Sequence, residues 1–166
     1  PYKRVDLVVE AFRRMPQRQL LVVGDGPENE KIRALAAGAP NIILKGKVPH
    51  AELLSMMQNA RAFVFAAEED FGITLVEAQA CGTPVISFGR GGALDIVQDD
   101  TLSDTPTGLL FSEQTADAIV KTVDGFETIR DKISAEGCRE NALRFSKAAF
   151  RSHITALTER VLTEGF

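Results

Sequence analysis

Short apolar runs alternate along this chain with segments in which apolar residues recur every three to four positions, and this alternation constrains the fold more than any single element does. Val5, Val8, Val9 and Phe12 mark one helical face that is expected to end near Met15 and Pro16. Residues 19–23 then form a β-branched run stopped by Gly24, Asp25, Gly26 and Pro27, which reads as a buried strand feeding a turn. The pattern repeats: helix 28–37, strand 41–44, a helix carrying Leu53, Leu54 and Met57, strand 61–67, helix 73–81 and strand 84–88. A short helix over 93–97 and a polar loop with Asp99, Asp100 and Asp104 precede a last strand over 108–111. Beyond it the pattern is helical, with breaks expected near Gly125, Gly137 and Ser146.

Strands that are nearly continuous apolar runs, separated by helices, imply a parallel sheet covered on both faces: an α/β, doubly wound, Rossmann-like domain with extra C-terminal helices. At 166 residues the chain matches one domain, 1–166, with a single core. In such sheets ligands bind beyond the carboxyl ends of the strands, where helix N-termini offer free backbone N–H groups. Residues 24–27, 46–49, 68–72 and 89–92 occupy those ends, and each of the four loops contains glycine.

Composition excludes several classes. The net charge of −4 and the absence of any Lys/Arg run longer than a pair argue against nucleic acid as a partner. No apolar run approaches the ~18 residues a membrane span needs. The two cysteines, Cys81 and Cys138, have no His or second Cys at ligand spacing, so a reducing compartment, the cytoplasm, is expected rather than a stapled or zinc-bound fold. The chain opens Pro1, Tyr2, Lys3, Arg4 without an initiator Met or a signal-like stretch, so it reads as a segment of something longer with a first element before it.

Glu68, Glu69 and Asp70 stand together after the third strand, and Glu77 follows Glu69 by eight positions on a helix otherwise carrying Ile73, Leu75, Val76, Ala78 and Ala80. Acidic residues at a helix N-terminus favour the macrodipole, which is one account of the cluster. A ligand is the other. Glu77 favours the second, because a carboxylate on an apolar helix is costly unless something hydrogen-bonds it, as a sugar or ribose diol would. A metal site is the rival, but no His lies nearby in sequence, and no metal is expected. His50 reads as a helix-start residue and His153 as structural. Cys81 reads as packed on the sheet, and Phe145, Phe150 and Leu157 as a stripe covering the core. Residues 89–92 do not satisfy G-x-G-x-x-G and follow the fourth strand, which argues against a dehydrogenase.

The segment Glu69-Asp70-Phe71-Gly72-Ile73-Thr74-Leu75-Val76-Glu77, continuing Ala78-Gln79-Ala80-Cys81-Gly82-Thr83-Pro84, resembles the E-x7-E region of retaining family 4 glycosyltransferases of GT-B fold. The resemblance extends to Lys3, to the 24–27 turn, to Gly46-Lys47-Val48, to the 89–92 loop and to residues 107–111. It covers nearly the whole chain and is similar to the C-terminal, donor-binding half of that family, in particular its mannosyltransferase branch in surface-polysaccharide assembly.

The resemblance implies the following roles. Lys3 would contact the donor pyrophosphate and stabilise the leaving group, sharing that work with an upstream arginine that would precede Pro1. Glu69 would lie by the donor sugar and Glu77 by the nucleotide ribose. Phe71, Gly72, Ile73 and Thr74 would offer backbone N–H groups to sugar and phosphates, Lys47 and Val48 would meet the base, and Gly24 and Gly26 would shape the pocket floor. Asp95 stands where the family often has Glu, which leaves its role open. The donor would be a nucleotide sugar such as GDP-mannose, with no separate cofactor. The acceptor, a glycan or lipid-linked species, would be held by an N-terminal domain outside this chain, with peripheral membrane contact of the whole protein. Residues 1–166 alone are expected to bind donor without transferring sugar. A nucleotide-sugar epimerase of the same fold and a non-catalytic nucleotide-binding module stand as alternatives.

Overall fold

A computed structural model describes residues 2–99, 101 and 103–164, so Pro1 and Asp100 lie outside the described residues. Helix α1 (Val5–Arg13) leads to β1 (Leu20–Val23), α2 (Asn29–Ala36), β2 (Ile42–Gly46), α3 (His50–Asn59) and β3 (Phe63–Phe65). Then come α4 (Ile73–Ala80), β4 (Val85–Phe88), α5 (Ala93–Ile96), β5 (Gly108–Phe111), α6 (Ala116–Ile129), a 3-10 turn, α7 (Ala135–Leu143) and α8 (Lys147–Glu164). The expected alternation of helix and parallel strand is present. Its hydrogen bonding falls into two ladders: β1 pairs with β2, and β3, β4 and β5 form a three-stranded sheet in that order. The third strand is confined to Phe63–Phe65, shorter than the apolar run suggests, and pairs with Val85, Ile86 and Ser87 of β4.

Strand β4 is buried on both faces, as the centre of a covered parallel sheet must be. Its alternate side chains serve two cores. Ile86 and Phe88 join Val8, Val9 and Phe12 of α1 with Ile119, Val123 and Phe126 of α6, a cluster that also takes in Leu20 of β1 and Ile42 of β2. Val85 packs on the other side with Phe65, Leu75, Ala78 and Ile96. A single apolar helix face, that of α1, therefore binds the two ladders into one body. Asp6 in its first turn and Arg13 in its last complement the helix dipole.

Two features of the C-terminal region differ from expectation. Gly125 and Gly137 lie inside α6 and α7 and break neither, because Thr115 and Ser134 cap those helices by accepting from the Ala118 and Gly137 amides. The breaks fall at residues 130–134, just before the start of α7 and close to Gly137, and at Ser146. Phe145 is half-buried against the second core, but Phe150 and Leu157 are 64% and 48% exposed on α8 and cover nothing. A stripe of helical spacing reveals which residues share a face, not whether that face has a partner.

Candidate functional site

The side chains of Lys3 and Glu69, far apart in sequence, meet in space: the Lys3 ammonium donates to the Glu69 carboxylate. Lys3 is brought there by the start of α1, whose N-cap residue Arg4 has φ 49° and ψ 38°. This left-handed conformation is costly for a residue with a Cβ. It is held by two bonds from the Arg4 guanidinium, to Asp6 at 3.2 Å and to the Gln114 carbonyl at 3.0 Å. Gln114 in turn donates to the Ala66 carbonyl at 2.8 Å, just past β3, so α1 is fastened to the strand end that carries Glu69. Partial burial would raise the Asp6 pKa; Arg4 and, more weakly, Lys31 outweigh it and hold the carboxyl below the ordinary aspartate value.

The ammonium also lies 5.0 Å from the Tyr2 ring centre and 5.1 Å from that of Phe65. Partial burial alone would lower the Lys3 pKa, but the Glu69 and Tyr2 groups more than offset it and leave the amine above its usual value. Lys3 is thus a fixed cation. Tyr2, Glu68, Glu69, Asp70, Phe71, Gly72 and Ile73 line an open cleft of about 570 Å³ at this point.

The other wall of the Glu69 segment is the glycine loop after β4. The Gly92 amide donates to the Glu69 carbonyl at 2.9 Å, and Glu69 and Gly91 form an isolated parallel bridge. Side chains are excluded here: a Cβ on Gly92 would come within 2.0 Å of the Phe71 carbonyl oxygen. The glycines expected to approach a ligand instead approach the backbone that carries Glu69.

Helix α4 begins in the cleft, with Gly72 as its left-handed N-cap. The first amides of a helix have no carbonyl of their own to bond, and in α4 these include the amides of Ile73 and Thr74. Leu75, Ala78 and Gln79 face inward, while Ile73 and Glu77 share the outer face one turn apart. Glu77 is exposed. The expectation of a carboxylate embedded among apolar neighbours is therefore corrected: α4 is apolar on its inner side, and Glu77 points away from that side beside the cleft residue Ile73.

The remaining expected site residues stand elsewhere on the carboxyl edge. Gly24 and Gly26 are exposed; the Gly24 amide donates to the Gly46 carbonyl at 2.8 Å, and Gly24 lines a separate cavity of about 20 Å³, the size of a water site. Neither lines the Glu69 cleft. Lys47 is exposed and Val48 half-buried in the loop after β2. Asp95 and both histidines are exposed, His50 as the first residue of α3, and Cys81 is buried as expected. Among the described residues no group of three or more His, Cys, Asp or Glu side chains could hold a metal ion. Sequence reasoning missed Tyr2, Phe65, Arg4 and Gln114. Tyr2 had one signal, being the chain's single tyrosine and adjacent to Lys3.

Comparison with known proteins adds a family. A family model described as "Glycosyl transferases group 1" matches residues 1–145. The chain is 31% identical over 140 residues to a GDP-mannose-dependent alpha-(1-6)-phosphatidylinositol monomannoside mannosyltransferase of Mycolicibacterium smegmatis, covering 74% of this chain and 35% of that protein. It is 30% identical over 111 residues to a sulfoquinovosyl transferase of Arabidopsis thaliana, covering 66% of this chain and 21% of that protein. Among solved structures, sucrose-phosphate synthase from Thermosynechococcus elongatus superposes with a TM-score of 0.80 at 26% identity, over 98% of this chain and 43% of that one. The chain thus spans less than half the length of each of these relatives.

Proposed function

Because the chain belongs to the glycosyl transferases group 1 family, we propose that it forms the donor-binding part of a metal-independent, retaining hexosyltransferase that moves a sugar from a nucleoside diphosphate to a glycan or lipid-linked acceptor. The observation that carries this reading is the Lys3–Glu69 pair near the start of α4: a cation bonded to a carboxylate that lines an open cleft, with the first amides of α4 alongside.

In this reading Lys3 and the amides of residues 71–74 take the charge that develops on the departing diphosphate, where preorganised donors are most effective. Glu69 accepts from hydroxyls of the donor sugar. Glu77, on the outer face of α4 one turn behind Ile73, accepts from the ribose diol. Lys47 and Val48 meet the base, and the open space above Gly24 and Gly26 admits the nucleotide without a side chain in its way. The N-terminal part of the whole protein would supply the acceptor pocket. No helix of the described residues is long and apolar enough to cross a membrane; peripheral membrane contact and a cytoplasmic location of the whole protein belong to the proposed reading.

GDP-mannose is the donor we put first, on the similarity to the mycobacterial mannosyltransferase; the similarity to a sulfoquinovosyl transferase is the reason to test others. A thermal-shift series with GDP-mannose, UDP-glucose and ADP-glucose, each with and without a chelator, tests the reading. A bound donor stabilises the native state by RT ln(1 + [L]/Kd), so GDP-mannose is expected to raise the Tm most, with no loss on chelation. No shift with any nucleotide sugar at millimolar concentration would overturn the donor reading, and a shift abolished by chelation would overturn metal independence.

A further inference from the structure

The Lys3 ammonium is enclosed on three sides. Phe65 forms one wall: it is 8% exposed, lies in β3 opposite Ser87 of β4, and has the Phe63 ring centre 6.0 Å away. Tyr2, 62% exposed, forms the second wall, and the Glu69 carboxylate the third. Both rings lie within the ~6 Å at which a cation is attracted to an aromatic face. A lysine carries its charge on a flexible four-carbon stem, so an ammonium held without such walls would spread over many rotamers.

We propose that Tyr2 and Phe65 are positioning residues that, with Glu69, cage the Lys3 ammonium at the edge of the cleft so that a nucleoside diphosphate meets a cation already in place. The proposal rests on the donor reading of the cleft. The cage divides its labour by burial. Phe65 is fixed by the sheet and defines where the amine can sit. Tyr2 closes the solvent side and, being exposed, can be altered without disturbing a core. The phenol group adds to the charge balance at the ammonium, but the positioning is the work of the ring face.

The test uses the 166-residue chain with Tyr2→Leu, Tyr2→Phe and Lys3→Ala, read by two measurements. The first is the NMR signal of the Lys3 ε-methylene, which two nearby rings shift upfield. The second is calorimetric affinity for GDP and for UDP, nucleoside diphosphates without sugar. Tyr2→Phe is expected to keep both the shift and the affinity. Tyr2→Leu is expected to move the ε-methylene signal toward its free-lysine position and to weaken diphosphate binding by roughly three- to tenfold, the scale of one cation–π contact. Phe65→Leu should do the same where it folds, but Tyr2 decides the matter because its replacement leaves the fold intact. If Lys3→Ala weakens binding while Tyr2→Leu changes neither signal nor affinity, the cage is overturned and the donor reading stands. If Lys3→Ala leaves GDP and UDP affinity unchanged, the donor reading of Lys3 is overturned, and the ε-methylene shift still decides whether the rings hold the amine.

Discussion

Gly91 and Glu69 lie so close that no side chain fits between them: a Cβ on Gly91 would come within 2.3 Å of the Glu69 carbonyl oxygen. The neighbouring Gly92 amide bonds that same oxygen at 2.9 Å. The backbone of the glycine loop is therefore the shelf on which the Glu69 segment rests. Gly91 also has φ +57°, a conformation that disfavours any other residue.

Gly91→Ala is expected to destabilise the chain by about 2–4 kcal/mol, combining left-handed strain with overpacking against backbone that cannot move aside. Gly26→Ala is the control. Nothing lies within 4 Å of a Cβ there, so its effect should stay within about 0.5 kcal/mol. Urea denaturation of the two variants checks the contrast, and equal losses would show that the shelf is not rigid.

The same pair illustrates what the amino-acid sequence discloses and what it withholds. Strand runs and glycine-ended loops were legible because local periodicity and turn chemistry report them directly, and Lys3 and Glu69 could both be placed near the carboxyl edge. What fills the space between two loops was not legible. The glycines after β4 read as part of a ligand-binding edge, and only the tertiary contact shows that they face the Glu69 segment. Glu77 reads as a costly carboxylate because the helix expected over 73–81 otherwise carries Ile73, Leu75, Val76, Ala78 and Ala80; its exposed face is visible only once Leu75, Ala78 and Gln79 are seen to turn inward together. Arg4 gave no signal at all, since a left-handed arginine depends on Gln114, 110 positions away.

Glu77 yields the next expectation. Being exposed, with no hydrogen bond of its own to the core, it should be replaceable by alanine at a stability cost within about 0.5 kcal/mol. In the proposed reading the same substitution weakens nucleotide binding, by the ~1.5–3 kcal/mol of a hydrogen-bonded charged group. Calorimetry with GDP alongside thermal denaturation separates the two. A large loss of stability with unchanged affinity would make Glu77 a structural residue.

Behind α4 lies a buried polar group that should behave in the opposite way. Asn141 of α7 donates to the Gln79 carbonyl and to the Ile96 carbonyl, each at 2.6 Å, while Gln79 donates to the Thr107 hydroxyl at 3.0 Å. Gln79 and Thr107 are 0% and 1% exposed. Removing one donor from such a network leaves acceptors without water or partner. Asn141→Ala is expected to cost about 1–3 kcal/mol, and the double variant with Gln79→Ala less than the sum of the two singles. Additive losses in a double-mutant cycle would show that the two amides act independently.

Cys138 gives a pH dependence with a definite sign. Its side chain is fully buried, and burial pushes the thiol up from 9.0 to about 11. The folded chain thus keeps its proton in a range where the unfolded chain has lost it. Its contribution to stability is complete below pH 9.0 and is lost as the pH climbs toward about 11, at about 1.4 kcal/mol per pH unit. Cys81 is also raised, by burial first and by the Glu77 charge second, and falls on the same side. Urea titrations of the parent and of Cys138→Ala between pH 7 and pH 10.5 isolate the term, because the other titrating groups cancel in the difference. The stability gap between the two proteins should be constant up to about pH 8.5 and then narrow at that slope. A gap that stays constant through pH 10.5 would mean that the thiol ionises as readily folded as unfolded, and that the pocket between α7 and the start of β5 admits water.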